Sequence, residues 1–200
     1  MLLDVPVNTS CVDSRAICAS NAKFLCTLIE YHQQEPTEEI EKHIQLLAKA
    51  IWTSFGWEET KVWFHTSEQK IPATGRDLAL VIQAMLMMQA WRPQEHTLEK
   101  IHALVEYWEE NYLENNICYT HPAKRFFIRG VDLVADTYAS TQEEASYTLS
   151  LLHKRGIPTK TQARNVLHNQ QWLLYKNPKI LSTALASWKQ TSIPAIPKHI

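Results

Sequence analysis

Residues 74–91, TGRDLALVIQAMLMMQAW, hold the longest apolar run in the chain. Between Leu78 and Met88 the only polar side chain is Gln83, so a helix here is apolar on every face. Such a helix belongs inside other elements or inside a bilayer. The run is shorter than the roughly 18 residues a membrane span needs, which points to the interior of a folded domain. Thr74 is suited to cap its start, and Asp77 places a carboxylate at the positive end of the helix dipole. Arg92 and Pro93 close it. The expectation is an all-α fold in which other helices wrap this central one, with no membrane span.

Both flanks carry helical periodicity. Cys18, Ala22, Leu25 and Ile29 repeat at spacings of 4, 3 and 4 within a segment from Asp13 to Gln34. Pro36 breaks the chain, and Ile40, Ile44, Leu47, Ile51 and Phe55 trace a second helix that Gly56 ends. Beyond the central helix, Leu98, Ile101, Val105, Trp108 and Tyr112 form the cleanest amphipathic stripe, which Asn115-Asn116 closes. Further helices are expected over 121–139 (with Gly130 inside it), from Ser140 to Gly156, from Pro158 to Tyr175, and around Leu181 to Trp188. Ser140 with Glu143 and Thr141 with Glu144 make two overlapping capping boxes. Residues 57–73, rich in β-branched and aromatic side chains, are the one place where a small hairpin is expected. The total is about eight helices in one domain over residues 1–200, with a subdomain seam near 114–121 as the alternative.

Composition narrows the function. A chain of 200 residues with 45% hydrophobic content can build a full core. Its four glycines stand singly at 56, 75, 130 and 156, so no glycine-rich phosphate loop can be assembled. Cys11, Cys18, Cys26 and Cys118 form no C-x-x-C pair, and the start of the chain has no basic-then-apolar leader pattern. Reduced thiols in a cytoplasmic protein are therefore expected. The net charge of −1 hides an asymmetry: residues 1–119 hold 9 Lys+Arg against 17 Asp+Glu, and residues 120–200 hold 11 against 4. Either the two halves face each other, or the signs are scattered over the surface, or an acidic and a basic face are offered to different partners.

Candidate sites are few. Glu99-x-x-His102 is half of a carboxylate-bridged metal motif, but a di-metal bundle needs a second such helix and further inward carboxylates. Cys118 and His121 make a thiol–imidazole pair without the second cluster a zinc site needs. No metal or cofactor is expected. Trp57, Trp63 and Phe64 either pad the end of the core or form an aromatic patch for a partner. In the helical hairpin 142–175, Lys160, Arg164 and His168 fall four apart, and Lys154 and Arg155 precede the turn at Gly156. This stripe could meet phosphates or an acidic protein surface. The leading expectation is a non-catalytic adaptor or small subunit that binds other protein subunits. The alternatives are a nucleic-acid-associated protein using the basic hairpin, and an enzyme with a pocket between helices.

Overall fold

The computed structural model describes residues 16–56, 63–68, 71–123, 130–133 and 139–176. Among these the chain is mostly helical: α1 (Cys18–Gln34), α2 (Glu38–Phe55), α3 (Gly75–Trp91), α4 (Glu95–Tyr112), α5 (Thr141–Lys154) and α6 (Ala163–Lys176), with β1 (Leu113–Glu114) and β2 (Ile117–Cys118). No helix among the described residues is long and apolar enough to cross a membrane.

The apolar segment is the central helix α3. Every side chain from Asp77 to Leu86 is buried, because α1, α4 and α5 all pack against it. Its start is fastened by a full capping box, in which Thr74 Oγ1 accepts from Asp77 N and the Asp77 carboxylate accepts from Thr74 N. Gln83, the one polar side chain inside the run, donates through Nε2 to Glu144 Oε2 at 2.9 Å and Thr148 Oγ1 at 3.0 Å on α5. These bonds satisfy the amide in the core and fix the register of α5 against α3. Outside this layer, α2 packs on α1 and α6 on α5.

The α4 stripe docks on the beginning of α3. Trp108 Nε1 donates to Gly75 O, and the Tyr112 hydroxyl donates to Ala73 O at 2.6 Å. Gly75 is required by space: a Cβ there would collide with Tyr119 O and sit 2.8 Å from Cys118 Sγ. After α4 the chain reverses through Asn115 and Asn116, at φ 52° and 59°. Two consecutive left-handed residues are what a tight two-residue hairpin demands, and asparagine tolerates that conformation. The resulting pairing, Leu113 with Cys118 and Glu114 with Ile117, is a hairpin that the sequence reading placed elsewhere. Gln142 completes it from α5: its Oε1 accepts from Cys118 N, and its Nε2 donates to Cys118 O.

The described part of 57–73 doubles back through one antiparallel bridge, Phe64 with Pro72, and a second bridge, Ile17 with Thr66, ties it to the start of α1, so the small hairpin expected there is present as a single bridge. Two helix expectations are corrected. A helix over 121–139 does not form at the described positions 121–123, 130–133 and 139. Gly130 O instead accepts from Thr120 N, and Asp132 Oδ2 accepts from Thr141 N and Oγ1 at the start of α5. The helix expected from Pro158 begins only at Ala163. There Ile157 N donates to Leu152 O and Gly156 N to His153 O, with Gly156 at φ 70°. That is a Schellman stop, and Ile157 is buried as its apolar seal. The helix expected around 181–188 lies outside the described residues.

Candidate functional site

Asp77 is a heavily used polar group in the interior. It is 0% exposed, and its two oxygens gather four contacts from three segments. Oδ1 accepts from Ala19 N of α1 at 3.0 Å. Oδ2 accepts from Thr74 N at 2.7 Å and Thr74 Oγ1 at 2.8 Å. The same oxygen lies 2.8 Å from Nδ1 of His65. A buried carboxylate can only accept, so Nδ1 carries the proton and Nε2 is the ring edge turned away from Asp77. The backbone keeps His65 there: its N–H donates to Ile71 O at 2.7 Å and its carbonyl accepts from Cys18 N at 2.9 Å.

This His–Asp pair lies on the wall of a cavity of about 830 Å³ between α1, the start of α3 and the start of α5. That volume is within the range of small-molecule sites. Ile17, Phe24, Leu80 and Ala139 supply apolar wall, and Ser20, Lys23, Thr27, Arg76, Thr120, Asp132, Thr141 and Glu144 supply polar wall. Burial, with the Asp77 charge adding to it, holds the neighbouring Cys18 thiol well above the usual thiol range. Burial pushes Cys26 up to about 12, against a smaller lowering pull from Lys23. Neither thiol is a nucleophile at neutral pH.

A second concavity runs along the outside of the α1–α2 pair. It measures about 530 Å³ and is walled by Phe24, Leu28, His43, Leu46, Leu47 and Ala50. Phe24 is 56% and Leu46 54% exposed. Helical spacing puts exposed Glu39, Lys42 and Lys49 near His43 and Leu46 on one rim, and exposed Lys23 and Glu30 on the far side of Phe24, so both rims carry both signs of charge.

The residues singled out in the sequence fall in different places. Lys154, Arg155, Lys160, Arg164 and His168 are all exposed. Lys154 and Arg164 share a cup of about 520 Å³ with His153, Thr159 and Thr161. Lys160 does not continue the stripe, because it lies in the turn before α6. It faces a different concavity, with His102, Glu106 and Glu109 of α4. There Glu109 Oε1 accepts from Thr161 N at 2.9 Å. At this seam Lys160 shares its concavity with Glu106 and Glu109 of the acidic half.

Trp63 is fully buried, its ring set edge-on to Trp52 at 5.2 Å between centroids. It is core, which corrects its inclusion in an aromatic patch; Phe64 is half-buried, and Trp57 lies outside the described residues. Glu99 and His102 are both exposed, and Glu99 lies 3.6 Å from His96. Cys118 is buried against Gly75, and His121 is half-buried. No group of three or more His, Cys, Asp or Glu among the described residues is placed to hold a metal.

Sequence reading missed the His65–Asp77 pair. Asp77 was visible as a helix-start carboxylate, but His65 belongs to an irregular segment whose path no periodicity reports. No protein-family model matches this chain, and no curated protein matches it either.

Proposed function

We propose that the chain is a non-catalytic cytoplasmic adaptor or small subunit, a single-domain helical bundle that binds another protein subunit. The observation carrying this reading is the open α1–α2 groove, whose Phe24 and Leu46 leave more than half of their surface to water. An apolar concavity between two helices accepts the apolar stripe of a third. The occupant is an amphipathic helix of a partner protein whose apolar stripe fills the groove and whose flanks carry both signs of charge, as the rims do. The His65–Asp77 pair is compatible with a non-catalytic role, since the same carboxylate locks the start of α3 and anchors α1. The test is a photo-crosslinking residue in place of Leu46, expressed in the native host, with mass-spectrometric identification of the joined peptide. The expected product is a peptide with apolar residues at helical spacing, lost in the Leu47→Glu variant. Crosslinks only to a second copy of the chain, or none above those from a crosslinker at exposed Glu99, overturn the reading.

A nucleic-acid-associated role is the second reading, and the shared cup of Lys154 and Arg164 favours it. The α4 carboxylates beside Lys160 weigh against it, because they oppose a phosphate backbone on that side. A gel shift at two salt concentrations decides: a shift that fades steeply with salt and with Arg164→Ala supports it, and no shift at low salt ends it.

A further inference from the structure

Positive charge collects at the end of this chain with nothing local to answer it. From Ala145 to Ile200 there is no Asp or Glu, against 8 Lys+Arg. The cup of about 520 Å³ lies between the end of α5 and the start of α6, and no carboxylate is among its described lining residues. Its cations are Lys154, the last residue of α5, and Arg164, the second of α6. Neither makes an ion pair among the described residues. Arg164 Nε donates to Gln162 Oε1 at 3.0 Å, which leaves the two terminal amino groups of the guanidinium fork for a ligand. Bonds across the hairpin hold the frame: Ser146 Oγ donates to Ala163 O at 3.1 Å, and Thr159 Oγ1 donates to Thr161 O at 2.9 Å. Leu149 gives the cup an apolar side.

We infer that this cup binds a small organic molecule through one phosphate monoester, whose dianion meets Lys154 and Arg164 and whose organic body lies on Leu149. The planar fork of arginine matches phosphate oxygens in pairs, and the lysine ammonium supplies a second positive charge. The volume is within the range of small-molecule sites. A chain of phosphates fits less well. Glu109 Oε1 accepts from Thr161 N, and Glu109 lines the adjoining hollow with Glu106 and Lys160. Thr159 borders both hollows. A polyanion that runs on past Thr159 meets those carboxylates, while a single phosphate stops short of them. The inference goes beyond the adaptor reading, which concerns α1 and α2, and it competes with the nucleic-acid reading for the same cup.

The test is a titration of the full chain with phenyl phosphate, followed by NMR through the backbone amide signals. Saturable movement is expected at residues of the cup, Thr161 and Ala163 among them. Benzenesulfonate, with a single charge, and inorganic phosphate, with no ring, should both bind more weakly. Lys154→Ala and Arg164→Ala should each weaken phenyl phosphate about fivefold, the upper worth of an exposed ion pair. Both side chains are exposed, so the variants keep the fold. Lys160→Ala, which removes a cation from the adjoining hollow, should leave the affinity unchanged. Leu46→Glu, which blocks the α1–α2 groove, should leave it unchanged too, so failure of the adaptor reading and failure of this one are distinguishable. No saturable movement, or a loss in Lys160→Ala as large as that in Arg164→Ala, would overturn the inference. Tighter binding of a short thymidine oligonucleotide without a terminal phosphate would also overturn it, in favour of the nucleic-acid reading.

Discussion

Replacing Asp77 by Asn tests whether the helix-start lock organises this fold. The two side chains have nearly the same shape, so packing is kept and the acceptors alone change. The carboxylate serves Ala19 N through one oxygen and Thr74 N, Thr74 Oγ1 and His65 Nδ1 through the other. An amide has one oxygen. Turned toward Thr74, it points its NH₂ at the Ala19 N–H; turned toward Ala19, it points its NH₂ at the Thr74 N–H. Either way at least one inward donor is left facing another donor, at a cost of about 1–3 kcal/mol. The bonds that survive lose their charge assistance, and roughly half of their strength goes with it. The expected loss is about 2–4 kcal/mol, a large share of the roughly 5–15 kcal/mol that holds a typical domain together. Urea unfolding followed by tryptophan fluorescence reads it directly, since the chain has seven tryptophans. Thr74→Ala, which removes the reciprocal cap, should cost about 1 kcal/mol. A double-mutant cycle of Asp77→Asn with His65→Gln should return a coupling above about 0.5 kcal/mol. An Asp77→Asn loss below about 0.5 kcal/mol, with an unchanged unfolding slope, would refute the reasoning.

Gly75→Ala should destabilise by about 2–3 kcal/mol, because the new methyl meets the backbone carbonyl of Tyr119, which cannot swing aside; a midpoint equal to wild type would show that β2 retreats freely. Gly156→Ala has open space around its Cβ and is strained only by φ 70°, so its cost should be smaller, about 1 kcal/mol. Replacing Asn115 and Asn116 together by Ala should cost about 2 kcal/mol through the same left-handed strain, with Asn116→Gly near neutral in the same denaturant assay. Burial favours the protonated thiol of Cys26, so the folded chain holds that proton more tightly than the unfolded one. That contribution is whole below the ordinary thiol value of 9.0 and is lost as pH rises toward about 12. Urea midpoints should therefore fall as pH rises above about 9, and fall less in Cys26→Ala; parallel curves for the two proteins would disprove the assignment.

Helix α3 was legible from its residues because a run with one polar side chain has no exposed face to offer, and burial of such a run is decided by composition alone. The stripes of α1, α2 and α4 were legible through their period, and the Ser140–Glu143 box and the Gly156 stop through local hydrogen-bond chemistry that needs no distant partner. The segment 121–139 misled because its apolar spacing mimics a helix. Asp132, however, is committed to the start of α5 and Gly130 to Thr120, and these contacts are made across the fold. Asn115-Asn116 misled in the other direction: two asparagines close a helix or turn a hairpin equally well, and the Gln142 clamp on Cys118 decides between them.

Local order, the central helix and the charge asymmetry were thus determined by the residues themselves, since the first two depend on neighbours within a few positions and the third on composition alone. Tertiary structure alone decided which polar groups meet. His65 and Asp77 belong to separate segments, Gln83 finds Glu144 only when α5 lies on α3, and Lys160 parts from Arg164 because the second helix starts late. Pairings of this kind depend on the relative placement of whole elements, which a one-dimensional pattern does not encode.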